Sequence, residues 1–463
     1  MTLERYIDDH FEGFMDTLVG LAKIPSISAD PDRKGDLRRS AEAVREAMAA
    51  YGLEHCEVIE LEGAHPYAYG DWLHAPGKPT LLLYAHHDVQ PPGRPEHWKS
   101  PPFEPTMRAD GRMYGRGVVD DKAGVVTHLA AIRAHLTTSG KLPCNVKLIV
   151  EGEEEIGSDH LGAFLQRYKE KLRADVIVLT DTGNLDSGIP SLTYRLRGIA
   201  AVELEVSALD HPLHSGMWGG PVPDPVQAMA KILATLSDDD GTVAIPGIHD
   251  EVRKPTKTEL ADLAALPFDE AKFISDAGLL DGVKLVGPAG QSVYEKLWLR
   301  PTVTVIALEA SPLKGSSNQI VPSARARVSV RLVPDMDPDR TAKLVAAHLE
   351  RVAPWGVKVR ARIEGANPGW VCVPEGPAFE AAKRALARGY QHEVALIGAG
   401  GSIPFVGPFA EAFGGAPALL VGLEDPICNA HSENESLNVV DWRSGIKGTA
   451  YLYEELASYK SNS

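Results

Sequence analysis

The stretch Thr80-Leu81-Leu82-Leu83-Tyr84-Ala85-His86-His87-Asp88 decides the fold. Its first six residues are a short apolar run without polar alternation, the pattern of a strand buried on both faces. Its last three are residues that a core would not choose. The same transition occurs twice more. Val146-Lys147-Leu148-Ile149-Val150 runs into Glu151-Gly152-Glu153-Glu154-Glu155, and Asp175-Val176-Ile177-Val178-Leu179-Thr180 runs into Asp181. Helical spacing lies between these runs, near 122–138 and 158–171. Strand and helix in alternation predict an α/β unit with a mostly parallel sheet.

In such sheets ligands bind outside the carboxyl ends of the strands. Three strands ending in histidine and acid therefore predict one polar site. Bunched carboxylates repel unless a cation joins them. A fourth segment, Tyr114-Gly115-Arg116-Gly117-Val118-Val119-Asp120-Asp121-Lys122-Ala123-Gly124, has a glycine turn followed at once by two acids. A glycine-rich turn before a helix can cradle phosphate, but the acidic pair is hostile to that anion and suits a cation. His86 and His87 project to opposite faces of their strand. His86 shares a face with Asp88 and is the expected ligand, which leaves His87 packed or at the surface. Cys428 stands three before His431, a spacing seen in some zinc sites; the simpler expectation is a small buried hydrophobe.

After about Tyr194 the pattern changes. Val202, Leu204 and Val206 alternate with Glu203 and Glu205, and Arg325, Arg327, Ser329 and Arg331 alternate with Ala326, Val328, Val330 and Leu332. Strict alternation predicts an antiparallel sheet with one wet face, and helical segments near 224–236 and 338–353 can cover the other. After about Trp370 the first pattern resumes, with Pro417-Ala418-Leu419-Leu420-Val421 and a last helix near 441–459. The expected organisation is 1–193 and 371–463 as one domain, with 194–370 inserted as an α+β domain. The stretch 239–300 is mixed and rich in Asp, Gly and Pro.

The bulk properties narrow the function. The chain has 463 residues, 44% hydrophobic and 24% charged, the profile of a globular protein of two or three domains. A net charge of −16 argues against nucleic acid or an anionic membrane as partner. No window is apolar and long enough to span a bilayer. The N-terminus lacks a secretory pattern, and four scattered cysteines form no C-x-x-C pair, so a reducing cytoplasm is the expected location.

Taken in order, these segments resemble the aminoacylase/carnosinase/carboxypeptidase-G family of dinuclear zinc hydrolases. The matching motifs are His86-His87-Asp88, Gly115 to Asp120, Glu154-Glu155, Asp181, and Asn429-Ala430-His431-Ser432-Glu433-Asn434-Glu435. They span nearly the whole chain. Trp98 with Pro101-Pro102-Phe103, and Gly400-Gly401-Ser402-Ile403-Pro404, resemble the carnosinase-like dipeptidase branch. The resemblance implies two zinc ions per subunit, with cobalt or manganese as substitutes. Asp120 would bridge them, His86 and Asp181 completing one set and Glu155 and His431 the other. Glu154 would be the general base and Asp88 would orient His86. Glu153 would be an ordinary acidic neighbour.

The resemblance also assigns the inserted domain as a lid and dimerisation domain of a homodimer. Leu213-His214-Ser215-Gly216 matches the motif whose histidine stabilises the oxyanion in the partner's site. Arg331 would grip the substrate carboxylate, with Arg325 and Arg327 merely solvated. Asn318, Gly401 and Ser402 are further substrate-binding candidates. The implied function is hydrolysis of dipeptides or short peptides with a free C-terminal carboxylate; the alternative is an N-acyl or N-carbamoyl amino-acid amidohydrolase using the same site. Ile363-Glu364-Gly365-Ala366-Asn367 holds no histidine where some dipeptidase members have one.

Overall fold

The three apolar runs form adjacent strands of one sheet. Thr80–His86 lies between Asn145–Glu151 and Val176–Gly183 and is parallel to both. Ala418–Glu424 extends the sheet parallel to Val176–Gly183. Tyr67–Trp72 and then Glu54–Ile59 close the opposite side as antiparallel strands. The computed structural model describes residues 1–401, 403 and 405–460. The central strands are almost wholly buried because helices cover them. Lys122–Ser139 is buried on nearly all sides and ends at Gly140, whose left-handed φ of 69° caps it. Gly124 lets this helix approach the sheet. A Cβ there would stand 2.6 Å from Thr180 Oγ1 and closer still to Asp121.

The chain divides into two compact units. The first is Met1–Tyr194, Cys372–Ile397 and Ile403–Ser463; the second is Arg195–Val371 and Gly398–Ser402. The short Gly398–Ser402 segment thus groups with the second unit rather than with the C-terminal part. In the first unit an apolar core joins Phe11, Leu83, Val126, Leu148, Val178, Leu419 and Trp442.

The second unit has a four-stranded antiparallel sheet, ordered Thr302–Glu309, Ser323–Leu332, Gly198–Ser207, Lys358–Asn367. Gly198–Ser207 alternates buried and half-buried at every residue. Its inward residues Ala200, Val202, Leu204 and Val206 pack with Met229, Ile232, Val345 and Leu349 of helices Pro225–Ala234 and Pro338–Arg351. The mixed stretch contains three short helices, Lys257–Ala265, Glu270–Asp276 and Val293–Trp298. Two of them begin with capping boxes, Thr256 with Glu259 and Ser292 with Glu295. No helix among the described residues is long and apolar enough to cross a membrane.

Candidate metal centre

Five side chains converge at the carboxyl ends of the first unit's parallel strands. His86 ends its strand, Asp181 sits near the end of Val176–Gly183, and Glu155 lies in the turn Glu154–Ile156 after Asn145–Glu151. Asp120 precedes the Lys122–Ser139 helix, and His431 comes from the loop after Ala418–Glu424. They form two groups that could each hold a metal ion: His86, Asp120 and Asp181, and Asp120, Glu155 and His431. Asp120 belongs to both. Its Oδ1 lies 3.0 Å from His86 Nε2 and its Oδ2 2.9 Å from His431 Nε2. His431 Nε2 is also 3.1 Å from Glu155 Oε2, and His86 Nε2 is 3.7 Å from Asp181 Oδ1. Cys428 is in neither group; burial pushes its thiol well up, as for a small apolar residue.

The electrostatics call for cations. Burial, then Asp181, pushes the Glu154 carboxyl well up, and burial with Asp120 pushes Glu155 up to about 7. Burial, then Asp120 and Asp181, also raises Glu424 at the end of its strand. Burial works the same way on Asp120, but hydrogen bonds from His431 and His86 outweigh it and hold this carboxyl down. Hydrogen bonds to Asp120 and Glu155 raise His431 to about 11. A site so rich in buried carboxylates needs positive charge, from protons or from cations. Two imidazoles and three carboxylates are a donor set that suits zinc, cobalt or manganese.

A scaffold of hydrogen bonds fixes these groups. His86 Nδ1 lies 3.1 Å from the Asp88 carbonyl and 3.4 Å from Asp88 Oδ1. The Asp88 carboxylate in turn accepts from the backbone N–H of Glu154, 3.2 Å, and of Glu155, 3.1 Å. It therefore holds the histidine and the glutamate turn together. His87 projects away and packs, its Nε2 2.9 Å from the Pro66 carbonyl. Gly117 needs its φ of 78°, and a Cβ on it would reach 2.6 Å from Val89.

Four contributors escape a reading of the sequence. Glu153 is not an ordinary neighbour. It is 1% exposed and accepts from Tyr67 Oη, His65 N and His160 N, so it anchors the turn that carries Glu154. Gln90 donates through N and Nε2 to the two oxygens of Glu155. Glu435 and Arg116 lock the Asp120 and His431 loops. All four sit inside or beside recognised motifs, but only their remote partners give them roles.

The other candidates lie in the second unit. His214 pairs with Gln319 in a short two-stranded ladder, and Ser215 N donates to the Asn318 carbonyl, so His214 and Asn318 are neighbours. Arg331 is half-buried in the four-stranded sheet. Arg325 and Arg327 are exposed, paired with Glu309 and Glu364, as solvated residues would be. Gly401 belongs to this unit, and Ser402 lies outside the described residues.

Fold and site together define a metallopeptidase. The chain belongs to peptidase family M20/M25/M40, whose pattern matches residues 82–455. It is 36% identical over 362 residues to the cysteinylglycine-S-conjugate dipeptidase of Corynebacterium striatum, covering 78% of this chain and 77% of that one. The crystal structure of human carnosine dipeptidase 1 matches with a TM-score of 0.88 at 28% identity, covering 99% of this chain and 98% of the other. The di-peptidase Dug1p of Saccharomyces cerevisiae also matches at 0.88, with 25% identity and the same coverage.

Proposed function

We infer that the protein is a homodimeric dipeptidase that holds two zinc ions and cleaves dipeptides or short peptides with a free C-terminal carboxylate. The observation that carries this is the division of Asp120, one oxygen toward His86 and the other toward His431. One carboxylate shared between two ligand sets is the arrangement of a paired-metal centre. The dipeptidase names of the relatives support the substrate class.

When bound, zinc ions at these sets would polarise the scissile carbonyl and acidify water. Glu154 is the acid left over from both sets. It adjoins Glu155 in the turn Glu154–Ile156, which suits it to take a proton from the attacking water and pass it to the leaving amine. His214 would donate to the developing oxyanion. Arg331, with Asn318, Gly401 and Ser402, would bind the substrate's carboxyl half. The edge strand Thr302–Glu309 supports dimerisation, because it exposes Val305, Ile306 and Leu308 beside unpaired backbone.

The test is Glu154→Ala in zinc-loaded protein. Two metals should be retained while hydrolysis of β-alanyl-histidine and cysteinyl-glycine disappears. Undiminished turnover would sink the mechanism. Faster cleavage of acetyl- or carbamoyl-amino acids by the wild type would move the substrate class to acyl amino acids.

A further inference from the structure

Along most of its length the outer face of the four-stranded sheet is a lattice of ion pairs, Arg325 with Glu309, Arg327 with Glu364 and Arg362 with Glu203. At one end this pairing stops. Neither Arg331 nor Arg197 has a carboxylate within ion-pair distance among the described residues, and Arg197 is only 7% exposed.

The register brings these two arginines together. Thr302 and Ile199 stand opposite Arg331 on the strands at either side. Residues directly opposite project to one face. Arg197 precedes Ile199 by two, which directs it to that face as well, and its Nη1 donates to Thr302 Oγ1 at 3.1 Å. The Arg197 guanidinium therefore rests on the residue beside Arg331. Its Nε–H is buried without an acceptor. Its Nη2 lies 3.1 Å from where a Cβ on Gly400 would be, so the missing side chain keeps this edge clear. Burial, then Arg331, holds Arg197 down at about 10, and both arginines are charged at neutral pH. A buried cation beside a half-buried one is costly unless an anion joins them.

We propose that Arg197 and Arg331 together form a carboxylate site, and that Arg197 is a second anchor for the substrate's C-terminal carboxylate. The inference rests on the dipeptidase reading for the identity of that carboxylate. The free Nε–H and Nη2–H of Arg197 form one edge of the guanidinium fork, the edge that binds the two oxygens of a carboxylate side by side. Arg331 supplies the second charge. A neutral C-terminus would leave both charges uncompensated.

The experiment compares alanyl-alanine with its C-terminal amide in zinc-loaded wild type, Arg197→Met and Arg197→Lys. The wild type should prefer the acid. Arg197→Met should cut the acid-to-amide ratio of kcat/KM by about 10- to 100-fold, mostly through KM, and Arg197→Lys should restore part of it. Arg197→Met should also raise the thermal midpoint, because a like charge is removed. An unchanged ratio, or a ratio unchanged with a lowered midpoint as for a scaffold residue, would overturn the proposal. If the wild type cleaves neither of these peptides, nor β-alanyl-histidine or cysteinyl-glycine, the dipeptidase reading fails. Calorimetry with N-acetyl-alanine and its amide then judges the anion site by itself, and equal binding of the two by wild type would overturn it.

Discussion

Arg116 and Glu435 form a buried ion pair, Nη1 to Oε2 at 2.7 Å, and through it three loops become one body. The Glu435 carboxylate also accepts from the backbone N–H of Gly117, Val119 and Asp120 at 3.0 to 3.3 Å. Arg116 Nη2 donates to the carbonyls of Pro91 and Ser432, each at 3.1 Å. The pair thus ties the loop after His86, the turn before Asp120 and the loop of His431. That last loop needs tying, because Asn429, His431 and Asn434 all have left-handed φ between 55° and 63°. Glu435→Gln is expected to lower stability by about 3–5 kcal/mol, since it leaves Arg116 buried and unpaired. Metal content should fall, because Asp120 and His431 lose their common support. Denaturant unfolding and elemental analysis after dialysis check both.

Asp88 joins His86 to the Glu154–Glu155 turn. Asp88→Asn offers one acceptor where two backbone donors converge. A fall in kcat of about 10- to 100-fold, or a similar loss of metal affinity, is expected. Steady-state kinetics at saturating zinc separates the two, and unchanged values of both would contradict the role.

Metal binding should strengthen with pH. Burial and Asp120 raise Glu155 to about 7, and hydrogen bonds to Asp120 and Glu155 raise His431 to about 11. Both must lose a proton before they ligate a cation, so rising pH removes the competitor. Zinc titrations against a competing chelator should give tighter binding at pH 8 than at pH 6. Chelation at pH 8 should also lower stability, by about 2.7 kcal/mol where free metal had been 100 times Kd.

His128 predicts acid sensitivity of the metal-free protein. It is fully buried between Tyr84, Thr180 and Tyr453, and burial depresses it to about 3. Between that value and its ordinary value near 6.5, the unfolded chain binds a proton that the folded chain does not. Stability is therefore complete above about 6.5 and is lost as pH falls, with a slope of up to about 1.4 kcal/mol per pH unit. Unfolding of His128→Gln at pH 7 and pH 5 should show a shallower loss than the wild type.

The edge strand tests the proposed homodimer. Ile306 and Leu308 are 57% and 61% exposed on Thr302–Glu309. Lysine at either position places charge on that edge. Sedimentation should shift from dimer toward monomer, with the circular dichroism spectrum unchanged. A dimer that survives both substitutions would place the interface elsewhere.

The apolar runs at 80–85, 146–150 and 175–180 determined three buried strands by themselves, because burial on two faces leaves a pattern in neighbouring residues. Their polar ends also determined where a site would form, and the resemblance named His86, Asp120, Glu155, Asp181 and His431. The alternation around 202–206 and 325–332 likewise determined a half-wet antiparallel sheet. Tertiary structure alone decided the rest. Glu153 resembles a surface acid until Tyr67, His65 and His160 close around it. Glu435 and Arg116 stand inside quoted motifs, but their joint role needs loops far apart in sequence. Arg197 carried no signal, since its meaning lies in Thr302, Arg331 and the absence of a nearby carboxylate among the described residues. Hydrophobic periodicity is local and survives in a linear string. The partners of a buried charge come from the packing of remote segments, which only the folded chain brings within a few ångströms.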